Sequence, residues 1–255
     1  MGIDRISYYA SKFGLGRRTG VDLPGEEVGL VPSEDWKQRV YHQKWYAGET
    51  ISVAIGQGAT MVTPMQLAYT YGGIVTGGKF KQPHFLMSDQ PAPEVDFPIS
   101  ESTVDFVTQA MWGVVNENGT AAASRLPGIE FCGKTGTAQV VSLDKRSAGN
   151  SDQKNNAWFV GFAPRRNPDL VVAVLVQSAG YGATFAAPIA RDIVKAYYDK
   201  KNGKQPATLM TSATTSPAVP AAPAVREASI TSKAPAPAPI NAAVAVGAQP
   251  VGDLR

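Results

Sequence analysis

The sequence predicts an α+β fold, an antiparallel sheet with helices packed on its faces, on three observations. The segments "TAQVVSL", "AWFVGFAP" and "DLVVAVLVQS" follow one another after Gly133 and are rich in β-branched and aromatic residues, as strands are. Segments of helical character precede them, near residues 63–77 and 102–116. "FAAPIARDIVKAYYDKK" then closes the pattern as an amphipathic helix, with cations at the end where the helix dipole favours them.

Taken in order, Ile3, Ile6, Ala10 and Phe13 stand at helical spacing, and Gly14 and Gly16 can end that helix. From Arg17 to Glu49 the chain is rich in Gly, Pro and charge, which predicts loops and short turns, with Trp36 and Trp45 as anchors to the body. "TPMQLAYTYGGIV" opens a helix: Thr63 caps, Pro64 fits the first helical position and Gln66 completes a capping box. Ser102 and Asp105 make a weaker box for the next helix, which Gly119 follows. "PRRNPD" joins the last two strands into an antiparallel hairpin. Leu170 to Val176 is apolar at every position, which predicts a central strand covered on both faces. Residues 1–201 make one domain, whereas residues 202–255 contain no aromatic and are dominated by Ala, Pro, Ser and Thr, the composition of a disordered tail.

Composition removes several classes of function. A net charge of +3 with interleaved signs lacks the basic footprint of a nucleic-acid binder. The single cysteine, Cys132, excludes a disulfide framework within the chain and any cysteine-based zinc cluster, and its apolar surroundings make it a small core residue, not a nucleophile. His42 and His84 show no ligand spacing, so no metal and no other cofactor is expected. The beginning has neither a signal peptide nor an apolar run of membrane-spanning length, so either the protein is cytosolic or its beginning is absent.

"GIEFCGKTGTAQVV", residues 128–141, carries two incompatible chemical suggestions. Gly128, Gly133, Lys134 and Thr135 match the phosphate-loop pattern, which needs a strand before Gly128 and a helix starting near Lys134. Pro127 precedes Gly128 without a strand-like run, and Gly136 with its β-branched neighbours argues for a strand downstream, so nucleotide binding is rejected. The second suggestion is serine acyl transfer, in which Lys134, Thr135, Gly136 and Thr137 lie on a strand edge lining a cleft. There a cation and hydroxyls hold a substrate carboxylate, glycine permits close approach, and a backbone amide serves an oxyanion hole.

The blocks "FGLGRRTGVDLPGE", "GLVPSEDWK", "GETISVAIGQGATMVTPMQLA", "CGKTGTAQV" and "NNAWFVGFAP" resemble, in order, the C-terminal half of the transpeptidase domain of class B penicillin-binding proteins, of the penicillin-binding protein 2 type. The resemblance covers about residues 1–200. It implies the fold of serine penicillin-recognising enzymes and a peptidoglycan D,D-transpeptidase. A serine of such an enzyme attacks the D-Ala-D-Ala bond of a stem peptide, and the acyl group passes to a neighbouring amine. Implied ligands are the stem peptide and β-lactams; implied partners of the intact protein are a membrane glycosyltransferase and elongation-complex proteins, at the periplasmic face of the cytoplasmic membrane. On this resemblance Lys134 would help bind the carboxylate and order the proton network. Thr135 and Thr137 would offer hydroxyls, the Thr137 amide would join the oxyanion hole, and Gly136 would keep that wall thin.

Two of the family's motifs, S-x-x-K with the nucleophile and S-x-N, are expected before K-T-G and do not occur there. The strings "SLDK" (Ser142, Lys145) and "SDQK" (Ser151, Lys154) follow K-T-G in a polar stretch and are expected to be coincidental. The chain therefore reads as a fragment that begins after S-x-N, inactive alone, with Met1 an internal methionine or a mispredicted start, and with Leu170 to Val176 left as an open sheet edge. Alternatives are a non-catalytic peptidoglycan- or protein-binding module, or a truncated D,D-carboxypeptidase or β-lactam sensor. Asn155, Asn156 and Gln177 depart from the family's common residues, with neutrality expected.

Overall fold

The computed structural model describes residues 1–87, 92–139 and 155–204, all within one compact unit. The expected tail from 205 onward and both S-x-x-K strings lie outside the described residues.

Helix α1, Ile3–Lys12, is the first element. The stretch expected to be only loops contains two short helices, α2 (Glu34–Tyr41) and α3 (Ala47–Ala54). Ser33 caps α2 by accepting the Trp36 N–H at 3.0 Å, and Glu34 and Asp35 sit in its first turn, a start signal that the surrounding Gly and Pro obscured. The buried anchor is Lys37, not a tryptophan: Trp36 and Trp45 are half-buried, while Lys37 is 6% exposed. Its ammonium donates to both carboxylate oxygens of Glu49 across from α2 to α3, at 2.6 Å to Oε1 and 2.5 Å to Oε2, beneath the rings of Trp45 and Tyr46.

Helix α4, Pro64–Val75, begins as the sequence predicts, with the reciprocal Thr63–Gln66 box and Pro64 in the first turn. Strands β1 (Lys79–Lys81) and β2 (Glu94–Asp96) form a small antiparallel ladder that sequence periodicity did not reveal, three residues being too few to show a period. Its buried Phe80 stacks near Phe13 and Tyr69, and Phe97 packs on Phe13, which ties α1 to this corner. The cap of helix α5, Glu101–Asn116, lies two residues before the expected one, because Ser100 and not Ser102 accepts the Thr103 N–H.

The main sheet has order β3-β4-β5, with β3 Cys132–Ala138, β4 Asn156–Ala163 and β5 Leu170–Val176, all antiparallel. Helix α6, Gly182–Lys201, covers one face: Ala186, Ala187, Ala190 and Val194 pack with Ala157, Phe159 and Val172. The other face meets α4 and α5 through Val75, Met111, Cys132 and Phe162. Helices on both faces match the expected α+β architecture. The strand with the deepest burial is β4, not β5. Among the described residues β5 pairs only with β4, so it is an outer strand, and six of its seven residues are half-buried. Its uninterrupted apolarity reflects α6 beneath Leu170, Val172, Val174 and Val176 and the α4–α5 side above Val171.

Candidate active site

β3 brings Lys134, Thr135, Gly136 and Thr137 together by pairing with β4 in the register Lys134↔Val160, Thr135↔Phe159, Gly136↔Trp158 and Thr137↔Ala157. No helix starts at Lys134, and Gly128 is a turn residue with φ +79, so the phosphate-loop geometry is absent. Gly133 is glycine for packing: a Cβ there would lie 2.1 Å from the Phe159 ring. The side of Gly136 is bounded by Trp158, whose Cβ would stand 3.0 Å from an added methyl.

Alternation along the strand puts Lys134 and Gly136 on one face and Thr135 and Thr137 on the other. Lys134 is exposed, and its Nζ donates to the Thr135 carbonyl at 2.8 Å, on the edge of β3 that faces away from β4. Thr135 Oγ1 shares a hydrogen bond of 2.8 Å with Thr120 Oγ1. Thr137 Oγ1 accepts from the Gly182 N–H, at the start of α6, at 3.4 Å. Each hydroxyl keeps further hydrogen-bonding capacity beyond its one protein contact.

Gly182 sits directly on the Gly136–Trp158 pair, where a Cβ would come within 2.3 Å of both carbonyl oxygens. That contact seats the N-terminus of α6 at the strand. The helix has no acidic residue in its first turn and no side-chain cap, so its positive end favours an anion. Two further residues reach this strand from far away, Thr120 and Gln57. Gln57 Nε2 donates to the Thr137 carbonyl at 3.0 Å, and the Gln139 N–H donates to Gln57 Oε1 at 3.3 Å. The sequence reading missed both, because nothing in a linear pattern links position 57 to position 137.

Other groups stand apart from this edge. A cavity of about 330 Å³ between α2 and α3 is lined by Trp36, Tyr41, Trp45 and Glu49 and does not include β3. Burial, reinforced by the charge of Glu130, pushes the Cys132 thiol up to about 12, which agrees with a core role. His42 ends α2 in the left-handed conformation, and His84 Nδ1 lies 2.9 Å from the Leu86 carbonyl. Among the described residues no group of three His, Cys, Asp or Glu side chains could hold a metal, and no helix is long and apolar enough to cross a membrane. Asn156 Oδ1 accepts the Ser178 N–H at 3.0 Å, closing the end of the β4–β5 hairpin, and Gln177 is exposed beside it.

A family model, the penicillin binding protein transpeptidase domain, matches residues 1–195. The chain belongs to this family. Among its relatives, the peptidoglycan D,D-transpeptidase MrdA of Haemophilus influenzae is 35% identical over 219 residues, covering 79% of this chain and 34% of that protein. MrdA of Acinetobacter baumannii is 36% identical over 224 residues, 81% of this chain and 33% of the relative. The chain thus spans about a third of the length of these relatives. Among solved structures, PBP2 of Pseudomonas aeruginosa in complex with WCK 5153 is 34% identical with a TM-score of 0.66, over 80% of this chain and 44% of the other. The complex between PBP2 and MreC from Helicobacter pylori gives 32% identity and a TM-score of 0.67, over 78% and 36%. Fold class and family therefore stand as the sequence blocks implied.

Proposed function

We propose that this chain is the C-terminal part of a peptidoglycan D,D-transpeptidase domain and that β3 is its ligand-facing wall. One observation carries the proposal: among the described residues β3, with Lys134 to Thr137, pairs with no strand but β4, its other edge holds the Lys134 ammonium, and Thr137 meets the N-terminus of α6. An extended acyl donor with a terminal carboxylate fits that edge by adding as a strand, its carboxylate near Lys134 and the hydroxyls of Thr135 and Thr137. The Thr137 N–H points to the same open edge as its carbonyl and would serve the oxyanion.

In the intact enzyme a serine outside this sequence would attack the penultimate D-Ala carbonyl and expel the terminal D-Ala, and the acyl group would pass to an amine. This chain supplies the wall and not the nucleophile, because no S-x-x-K precedes Lys134. The H. pylori relative is a complex with MreC, which supports elongation-complex proteins as partners of the intact protein. With a membrane glycosyltransferase they would place it at the periplasmic face of the cytoplasmic membrane.

Two measurements test the reading. Incubation with a fluorescent penicillin should leave the chain unlabelled, and covalent label on any of its serines overturns the claim that it is inert alone. In amide NMR, diacetyl-L-Lys-D-Ala-D-Ala should shift residues 134–139, with affinity about tenfold lower in Lys134→Ala. Shifts confined to other parts of the chain overturn the assignment of β3.

A further inference from the structure

Gln57 reaches β3 from the turn that follows α3. Gly56 and Gly58 flank it at φ +75 and +72, left-handed values that L side chains rarely adopt. The Gly56 N–H donates to the Val53 carbonyl and the Gln57 N–H to the Ser52 carbonyl, both at 2.9 Å, which closes the helix end and leaves the Gln57 side chain free to extend. Across 80 positions of sequence, its carboxamide then gives one N–H to the Thr137 carbonyl and takes one from Gln139.

A carbonyl and an N–H two residues apart on one edge are what a backbone N–H and C=O of an adjoining strand would engage. The single carboxamide of Gln57 supplies one donor and one acceptor and meets both groups. Among the described residues no strand occupies this edge of β3, so Gln57 stands where a strand would begin.

We propose that Gln57 is a built-in surrogate for the ligand backbone, which holds the Thr137 carbonyl and Gln139 N–H until an extended peptide adds to β3 and displaces it. The inference rests on the reading of the β3 edge as ligand-facing. Two neutral hydrogen bonds on one flexible side chain make a cover that a peptide can replace bond for bond. A ligand that offers no backbone N–H and C=O to this pair cannot repay the exchange, so the cover also selects for extended peptides. Thr135, already joined to Lys134 through its carbonyl, and the Thr137 N–H lie outside the pair that Gln57 holds.

The test compares the wild-type chain with Gln57→Ala and with the near-isosteric Gln57→Met, which keeps the bulk and removes both hydrogen bonds. The probe is diacetyl-L-Lys-D-Ala-D-Ala, followed by amide NMR. Both variants should bind about tenfold more tightly than wild type, the gain expected when a competing conformer populated at about nine-tenths is removed. Without ligand, the Gln139 amide should exchange with solvent faster in both variants, and in the wild type the Gln57 side-chain NH2 signals should move in step with occupancy. Equal affinity in all three proteins, or weaker binding in the variants, overturns the inference and leaves β3 as the ligand wall. Failure of the peptide to shift residues 134–139 in any of them removes that wall itself, and the inference with it.

Discussion

At the scale of single residues, glycines and buried amides carry constraints that their letters do not disclose. Gly133 lies under the Phe159 ring, so Gly133→Ala should cost about 2 kcal/mol by forcing the ring or the strand aside, read as a lower urea midpoint with unchanged slope. Gln66 is fully buried, and its amide serves the Thr63 N–H and the carbonyls of Arg17 and Val28 at 3.0, 2.8 and 2.7 Å. Gln66→Ala would orphan these groups and should destabilise the chain by about 3 kcal/mol, measured in the same way. Cys132 should resist a thiol reagent at pH 8 in the native chain and react at once in denaturant, because burial withholds both access and the thiolate. The capping box was legible in the sequence as "TPMQ"; the two loop carbonyls that complete Gln66 were not, since they lie 49 and 38 positions away.

Carboxylates that pin loops set the response to acid. For Glu26, partial burial alone would raise the carboxyl, but the hydroxyl and N–H of Thr19 and the N–H of Gly20 together hold it below the ordinary value. Glu49 is held down first by the Lys37 ammonium and then by the Tyr46 N–H. A depressed carboxyl contributes stability above its unfolded value and loses it as pH falls through the folded one. The melting temperature should therefore drop as pH falls below about 4.5, and Glu26→Gln should be less stable at pH 7 with a flatter acid limb.

Among the elements, β5 separates what composition discloses from what pairing decides. Seven consecutive apolar residues predict two covered faces, and α6 with the α4–α5 side provides them, yet the strand lies outermost in the described sheet. Side-chain pattern reports faces and carries no information on hydrogen-bonding neighbours. An outer strand of this length is an association hazard, so the isolated chain should self-associate more as its concentration rises, visible in light scattering. The short helices α2 and α3 show the opposite case. Their joining contact, Lys37 with Glu49, is an ion pair between residues a window scan treats as surface.

For the whole molecule, the order of α1, α4, α5, the three strands of the main sheet and α6 was written in the sequence because periods of 2 and 3.6 residues follow directly from backbone geometry, whereas α2, α3, β1 and β2 were too short to show one. The K-T-G-T run and the quoted blocks pointed to the family, and the strand character of "TGTAQ" excluded a nucleotide cradle from sequence alone. Tertiary structure alone decided that β4 is central, that Gly182 seats α6 on the Gly136–Trp158 pair, and that Gln57 covers the edge of β3. The physical reason is common to all three: chain order and local period determine which face a residue shows, whereas contacts across tens of residues depend on how whole elements stack, which no local pattern encodes.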